Sequence, residues 1–399
     1  MSDTLRIPAT GTKPTTGEIF GHACEQIHRA ASELWPAVPV VLGEHVPSVT
    51  GYVHRIRVGD RELYAKHSML GASLVSVLRG TYGNWDVVAE RQDAYVADPA
   101  SLLVRETAQL KFLSEAGQPL ACVVAGLRRG VLFTEPVVGP TLAALILAAP
   151  GDTGDLLIQT WGELRPLHRG GSPAKAGVIE ERSIAGTFRR KFNGLSGKTY
   201  IERLGEDRLP ADVAAEVVAL VQAVQARLRR LLSMAAPLER RVVFGDLKPE
   251  HVIYPDGSSR RPVFIDPGLM QARASVDAAK LISRTVLALA AEANPDAAPG
   301  IAFGLQNFTR YLVSDLDRPA REAALRELLA LWCMDTVNIM TTYISAPQAL
   351  PLPRQGLALI HAAGAVLRMV NDISQGLTTR SNVSTVWECA LNTVSGAAT

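Results

Sequence analysis

Residues 242–251 read VVFGDLKPEH and residues 263–268 read VFIDPG. Each segment is a short β-branched or aromatic run that ends in a carboxylate, Asp246 in the first and Asp266 in the second. A carboxylate just past a buried strand loses solvation unless something pairs with it. Two such strand ends close in sequence predict a hairpin that brings both acids to one point. The residues alone leave three partners open there: a metal ion, a phosphate-bearing ligand held through that metal, or a local turn.

The surrounding chain narrows the class. At 399 residues it exceeds one core of ordinary size, so two lobes are expected. With 47% hydrophobic and 20% charged residues the composition is globular and not disordered. A net charge of +2 gives no reason to invoke nucleic acid or an anionic membrane as a partner. No wide basic tract appears, and RLRRLL at 227–232 suits the C-terminal end of a helix dipole. Cys24, Cys122, Cys333 and Cys389 show no CxxC spacing and sit among apolar residues, which reads as buried free thiols in a reducing compartment. The first twenty residues lack the build of a signal peptide, and the longest apolar run, LAALILAA at 142–149, is far short of a membrane span. A soluble, cytoplasmic protein is the expectation.

Periodicity divides the chain further. Residues 1–17 are rich in Thr, Gly and Pro and are expected to be poorly ordered. GEIFGHACEQIHRAASELW (17–35) has helical apolar spacing, so 1–37 reads as an extension carrying a helix. From 38 the period changes: VPVVLGEHV, GYVHRIRV and RELYAKHS read as strands, the last two joined through Gly59-Asp60. A helix over 101–116, capped by Ser101, precedes two strands, CVVAGL and VLFTEPV, around the turn RRG. Residues 38–138 therefore form an N-lobe with an antiparallel sheet and a helix. A hinge falls near 135–140, and 139–399 form a mostly helical C-lobe.

The order of these parts is informative. A hairpin sheet leads to a strand carrying Lys66, then to a helix carrying Glu106. A strand into a linker follows, then a helical lobe, the loop GDLKPEH and the strand end IDPG. In this order the chain resembles the protein-kinase-like superfamily, and within it the aminoglycoside and macrolide phosphotransferase and choline kinase branch. The resemblance runs from about 40 to 285. DLKPEH followed by FIDPG is its most specific part, and WGELRPLHR at 161–169 adds to it. It implies an α+β, bilobal protein-kinase-like fold and an ATP- and Mg²⁺-dependent transfer of the γ-phosphate to a hydroxyl.

Roles for individual residues follow from the resemblance, because phosphoryl transfer asks the protein for positioning and charge neutralisation. Asp246 would face the proton of the attacking hydroxyl, with Lys248 neutralising the γ-phosphate. Asp266 would hold Mg²⁺, a hard cation that takes one or two carboxylates beside the phosphates. His251 stands where protein kinases carry a metal-ligating Asn, and its imidazole nitrogen is a softer donor. Lys66 would contact the α- and β-phosphates and Glu106 would pair with it. Gly51, in PSVTGY, would lie over the phosphates. The backbone of Glu135 and Val137, in the hinge, would read the adenine edge. Asp277, in DAAKLISRT, would bond the backbone of the catalytic loop.

The chain also departs from the family. Phe244 replaces the usual His, and the 47–52 loop has a single glycine. About forty residues separate Lys66 from Glu106, and the piece at 69–100 reads as an added helix-turn-helix. It would cover the cleft, dock a partner protein or serve packing alone. The acceptor is expected to be a small molecule, such as an antibiotic or natural-product intermediate, or Ser or Thr of a precursor peptide. The alternative is a catalytically inactive kinase-like scaffold.

Overall fold

The computed structural model describes residues 12–170, 177–232, 241–258, 260–379 and 382–397. The poorly ordered start expected for residues 1–17 thus lies mostly outside the described residues. The chain divides into two units. The first comprises Met1–Ala108, Val123–Pro136 and Ala346–Pro353, and the second the remainder. The class is α+β, as the patterning requires.

The first unit opens with α1 (Thr16–Leu34), started by a capping box in which Thr15 Oγ1 accepts from Glu18 N and Glu18 Oε2 accepts from Thr15 N. Strands β1 (Val40–Val46), β2 (Tyr52–Val58) and β3 (Arg61–His67) follow. Next come α2 (Leu74–Leu78), α3 (Trp85–Ala97), α4 (Leu102–Ala116), β4 (Val124–Arg128) and β5 (Val131–Thr134). Among the described residues the strands form one antiparallel sheet of order β1-β2-β3-β5-β4. Its hairpins use left-handed turn residues, Gly59 between β2 and β3, and Arg129 with Gly130 between β4 and β5.

Alternation along β2 turns Tyr52, His54, Ile56 and Val58 inward. Ala23, Ile27, Ala30 and Ala31 of α1 pack on that face with Leu63, Ala65, Val131 and Phe133. Full burial of a residue such as Ile27 contributes about 2–3 kcal/mol, so the N-terminal helix is part of this core. The segment at 69–100 is pinned by buried Gln92, whose amide accepts from Leu70 N and donates to the carbonyl of Ser68. Ser101 does not cap α4: its hydroxyl has no hydrogen bond among the described residues, and Leu102 N donates to Tyr95 Oη instead, at 2.7 Å.

The second unit is mostly helical. It contains α5 (Leu142–Ala148), α6 (Thr153–Arg169), α7 (Ile184–Lys191), α8 (Gly194–Glu202) and α9 (Ala211–Leu232). Among the described residues four short strands interrupt the helices: β6 (Arg241–Val243), β7 (Val252–Ile253), β8 (Val263–Phe264) and β9 (Met270–Ala272). The chain ends in α10 (Ser275–Glu292), α11 (Ala298–Leu312), α12 (Arg318–Ile344), α13 (Arg354–His361), α14 (Ala363–Thr378) and α15 (Val383–Ala397). Helix α10 is buried over nearly its whole length and packs against α12.

The hairpin expected between the two acid-bearing strands is not formed. β6 pairs with β9, and β7 pairs with β8. Gly245 in the left-handed region ends β6 before Asp246, and after a bend at Asp266 the chain returns along β6 as β9. The cysteines are free thiols, but Cys389 is exposed and Cys24 half-buried. Among the described residues no single helix is long and apolar enough to cross a membrane.

Candidate active site

The loop after β6 is held from below by Asp277 on α10. Its carboxylate accepts the backbone N–H of Phe244 at 2.8 Å and of Gly245 at 2.7 Å. His168, near the C-terminal end of α6, lies 2.9 Å from the same carboxylate. Asp277 is fully buried, so these partners replace water. Phe244 is buried beside Phe264, with ring centroids 5.5 Å apart, and fills the space beneath the loop.

Two glycines let this loop meet the one after β8. A side chain on Gly245 would come within 2.0 Å of the Gly268 carbonyl oxygen, and one on Gly268 would crowd Asp246 Cβ at 3.3 Å. Gly268 N donates to Phe244 O at 2.9 Å, and Ile265 N to His251 O at 3.0 Å. The loops carrying Asp246 and Asp266 are therefore locked together by backbone contacts, although their strands are not partners. Asp266 itself sits at φ +55°, a conformation that costs a non-glycine residue about 1 kcal/mol or more and clusters at functional sites.

Asp246 is nearly buried and surrounded by cations. Lys280 Nζ lies 2.5 Å from its Oδ1, Lys248 Nζ 3.0 Å from Oδ2, and Arg182 Nη1 4.0 Å from Oδ2. Burial by itself would push the Asp246 carboxyl up. The charges of Lys248, Lys280 and Arg182, with His251 adding, outweigh it and hold the group well below the usual carboxylate range. Burial is the main reason that the Lys248 ammonium is brought down to about 8, against the opposing pull of Asp246. Arg182 also donates to the carbonyls of Asp266 and Pro267, at 3.1 and 2.7 Å, so it braces both loops.

His251 Nε2 lies 3.6 Å from Asp266 Oδ2. Among the described residues no group of three or more His, Cys, Asp or Glu forms a metal cage. The two-residue set nevertheless suits Mg²⁺ brought in with phosphates, which draws most of its ligands from phosphate oxygens and water. In the first unit, Lys66 Nζ stands 3.0 Å from Glu106 Oε1, with side-chain exposures of 15% and 1%. A carboxylate so buried needs a partner in place of water, and Lys66 is one.

The remaining sequence-derived candidates carry less. Gly51 precedes β2 outside the left-handed region, and a side chain there would meet the His67 carbonyl at 3.4 Å. Glu135 is exposed, its carboxylate taking Arg61 at 3.1 Å and its N–H bonding Val123 O. Val137 is half-buried just after the boundary at Pro136.

Three site residues, Arg182, Arg284 and Asp335, were not singled out in the sequence, nor was the contact of Lys280 with Asp246. Asp335 lies within the apolar run LLALWCMDTVNIM and Lys280 on a buried helix, and a charge in such a setting demands a partner. That signal was available. The identity of the partner was not.

No protein-family model matches the chain, and no curated protein matches it by sequence. Among solved structures it is similar to an ethanolamine kinase of Plasmodium vivax, with 12% identity, 82% of each chain covered and a TM-score of 0.43. It is similar to a choline kinase of Cryptosporidium parvum at 10% identity, covering 91% of this chain and 98% of that one, with a TM-score of 0.46. An aminoglycoside phosphotransferase of Streptomyces rimosus, solved with ADP and streptomycin, shares 19% identity over 72% of this chain and 92% of its own, with a TM-score of 0.38. Similarities this distant leave the function to be read from the side chains described above.

Proposed function

We propose that this chain is an ATP- and Mg²⁺-dependent phosphotransferase that moves the γ-phosphate to a hydroxyl. The acceptor is a small molecule, such as an antibiotic or natural-product intermediate, or Ser or Thr of a peptide. One observation carries the reading: Asp246, on a loop fixed by Asp277, has an ammonium group at each oxygen and is locked to the segment that presents Asp266 beside His251.

In this reading Asp246 orients the acceptor hydroxyl. Held well below the usual range, it is a weak base and takes the proton only as transfer proceeds. The acceptor oxygen forms a bond to the γ-phosphorus, the bond to the bridging oxygen breaks, and its electron pair leaves with ADP. Lys248 and Arg182 offset charge on the transferred group. Asp266 and His251 are the residues that would hold Mg²⁺, which supplies charge neutralisation at the phosphates. Lys66, fixed by Glu106, binds phosphate oxygens. A cytoplasmic setting, where ATP is abundant, fits this chemistry.

The test is binding of Mg·ATP, followed by release of ADP with water and with a panel of hydroxyl acceptors that includes amino sugars and Ser-containing peptides. Asp246→Asn is expected to bind Mg·ATP about as well as the wild type and to release no ADP above background. A wild type that neither binds Mg·ATP nor releases ADP ends the proposal. One observation favours a second reading, a catalytically silent scaffold: both Asp246 oxygens already hold lysines. Mg·ATP binding without turnover on any acceptor would select it.

A further inference from the structure

Lys280 is 4% exposed on α10, and Asp335 is 2% exposed on α12. Lys280 Nζ lies 2.5 Å from Asp246 Oδ1 and 4.0 Å from Asp335 Oδ1. Asp335 is fixed in turn: Arg284 donates to it through Nε at 2.7 Å and Nη2 at 3.3 Å, and Ser283 Oγ at 2.6 Å. The array runs from the candidate catalytic carboxylate into the packed centre of the second unit. Burying such charges is costly, and apolar residues of similar volume are often at least as stabilising. Packing therefore gives no reason for a lysine at this place.

The two lysines at Asp246 also differ in what they are tied to. Lys248 rides on the same loop, two residues on, and a transferred phosphate would offer its ammonium more negative charge than Asp246 does. Lys280 belongs to a buried helix and has a second carboxylate behind it. Were phosphate to draw Lys248 away, Oδ2 would be left with Arg182 at 4.0 Å, while Oδ1 stays held by Lys280.

We propose that Lys280, tethered by Asp335, is a positioning residue that fixes Asp246 through Oδ1 so that Oδ2 is the oxygen presented to the acceptor hydroxyl. This rests on the phosphotransferase reading and goes beyond it: the ammonium serves alignment and does not mask the carboxylate. Removing it frees the carboxylate to rotate and lowers turnover more than nucleotide binding.

The experiment uses the full chain with Mg·ATP, measuring ADP release to water or to the best acceptor of the panel, alongside the Kd for Mg·ATP. Lys280→Met is expected to lower turnover by about 30-fold or more while Kd stays within about threefold. Lys280→Arg, which keeps the charge, should recover a substantial part. Asp335→Asn, which keeps hydrogen-bonding capacity but loosens the tether, should lower turnover by about three- to tenfold and serves if Lys280→Met does not fold. Turnover in Lys280→Met equal to or above that of an active wild type overturns this inference alone and shows that Lys280 masks Asp246. Equal losses in Lys280→Arg and Lys280→Met, or no effect in Asp335→Asn, also overturn it. A wild type with no Mg·ATP binding and no turnover overturns the functional reading along with it.

Discussion

Asp277 Oδ1 accepts the backbone N–H of Gly245 at 2.7 Å, so helix α10 fixes the loop one residue before Asp246. The same carboxylate takes Phe244 N and faces His168.

Replacing Asp277 by Ala would therefore strand two buried N–H donors and the imidazole at once. The expected cost is about 3–5 kcal/mol, read as a lowered denaturant midpoint. Asp277→Asn keeps one acceptor oxygen and should lose less. An Ala variant within 1 kcal/mol of wild type (roughly) would mean that water replaces the carboxylate and that the loop does not depend on it.

Asp266 separates stability from function. Its left-handed backbone suits glycine, so Asp266→Gly is expected to be as stable as the wild type or up to about 1 kcal/mol more so. The same change removes the carboxylate assigned to Mg²⁺ and should raise the Kd for Mg·ATP by about tenfold or more. Thermal melts and calorimetric titration on one preparation read both effects. A variant that melts several degrees lower, or binds Mg·ATP unchanged, contradicts the assignment.

His67 at the end of β3 supplies a pH signature. Burial lowers its imidazole pKa to about 3, with His22 adding to the effect. The folded state therefore keeps it neutral while the unfolded chain takes up a proton below about 6.5. Stability from this group is complete above pH 6.5 and is lost as pH falls from there toward 3, by a few kcal/mol in total (roughly). Between pH 6.5 and 5, above the carboxylate range, the melting temperature should fall in the wild type and fall less in His67→Phe. Parallel slopes in the two proteins would remove His67 as the cause.

The sequence by itself determined the elements and the chemical types at the site. The period-two stretches became β2 and β3 with Gly59 in their turn, Arg129-Gly130 became the turn between β4 and β5, and 17–35 became a helix, because alternation and left-handed residues are local properties of the chain. Asp277 was legible as the residue bonding the loop backbone. The partnership of the short acid-bearing strands was not legible. β6 pairs with β9 and not β8, since three-residue strands fit several partners and the backbone contacts made possible by Gly245 and Gly268 select one. Nor did the sequence show that Lys280, Arg182 and Lys248 converge on Asp246 while Asp335 holds Lys280. A buried charge announces that it needs a partner, but which one it finds depends on how helices far apart in the chain pack, and only the tertiary structure decides that.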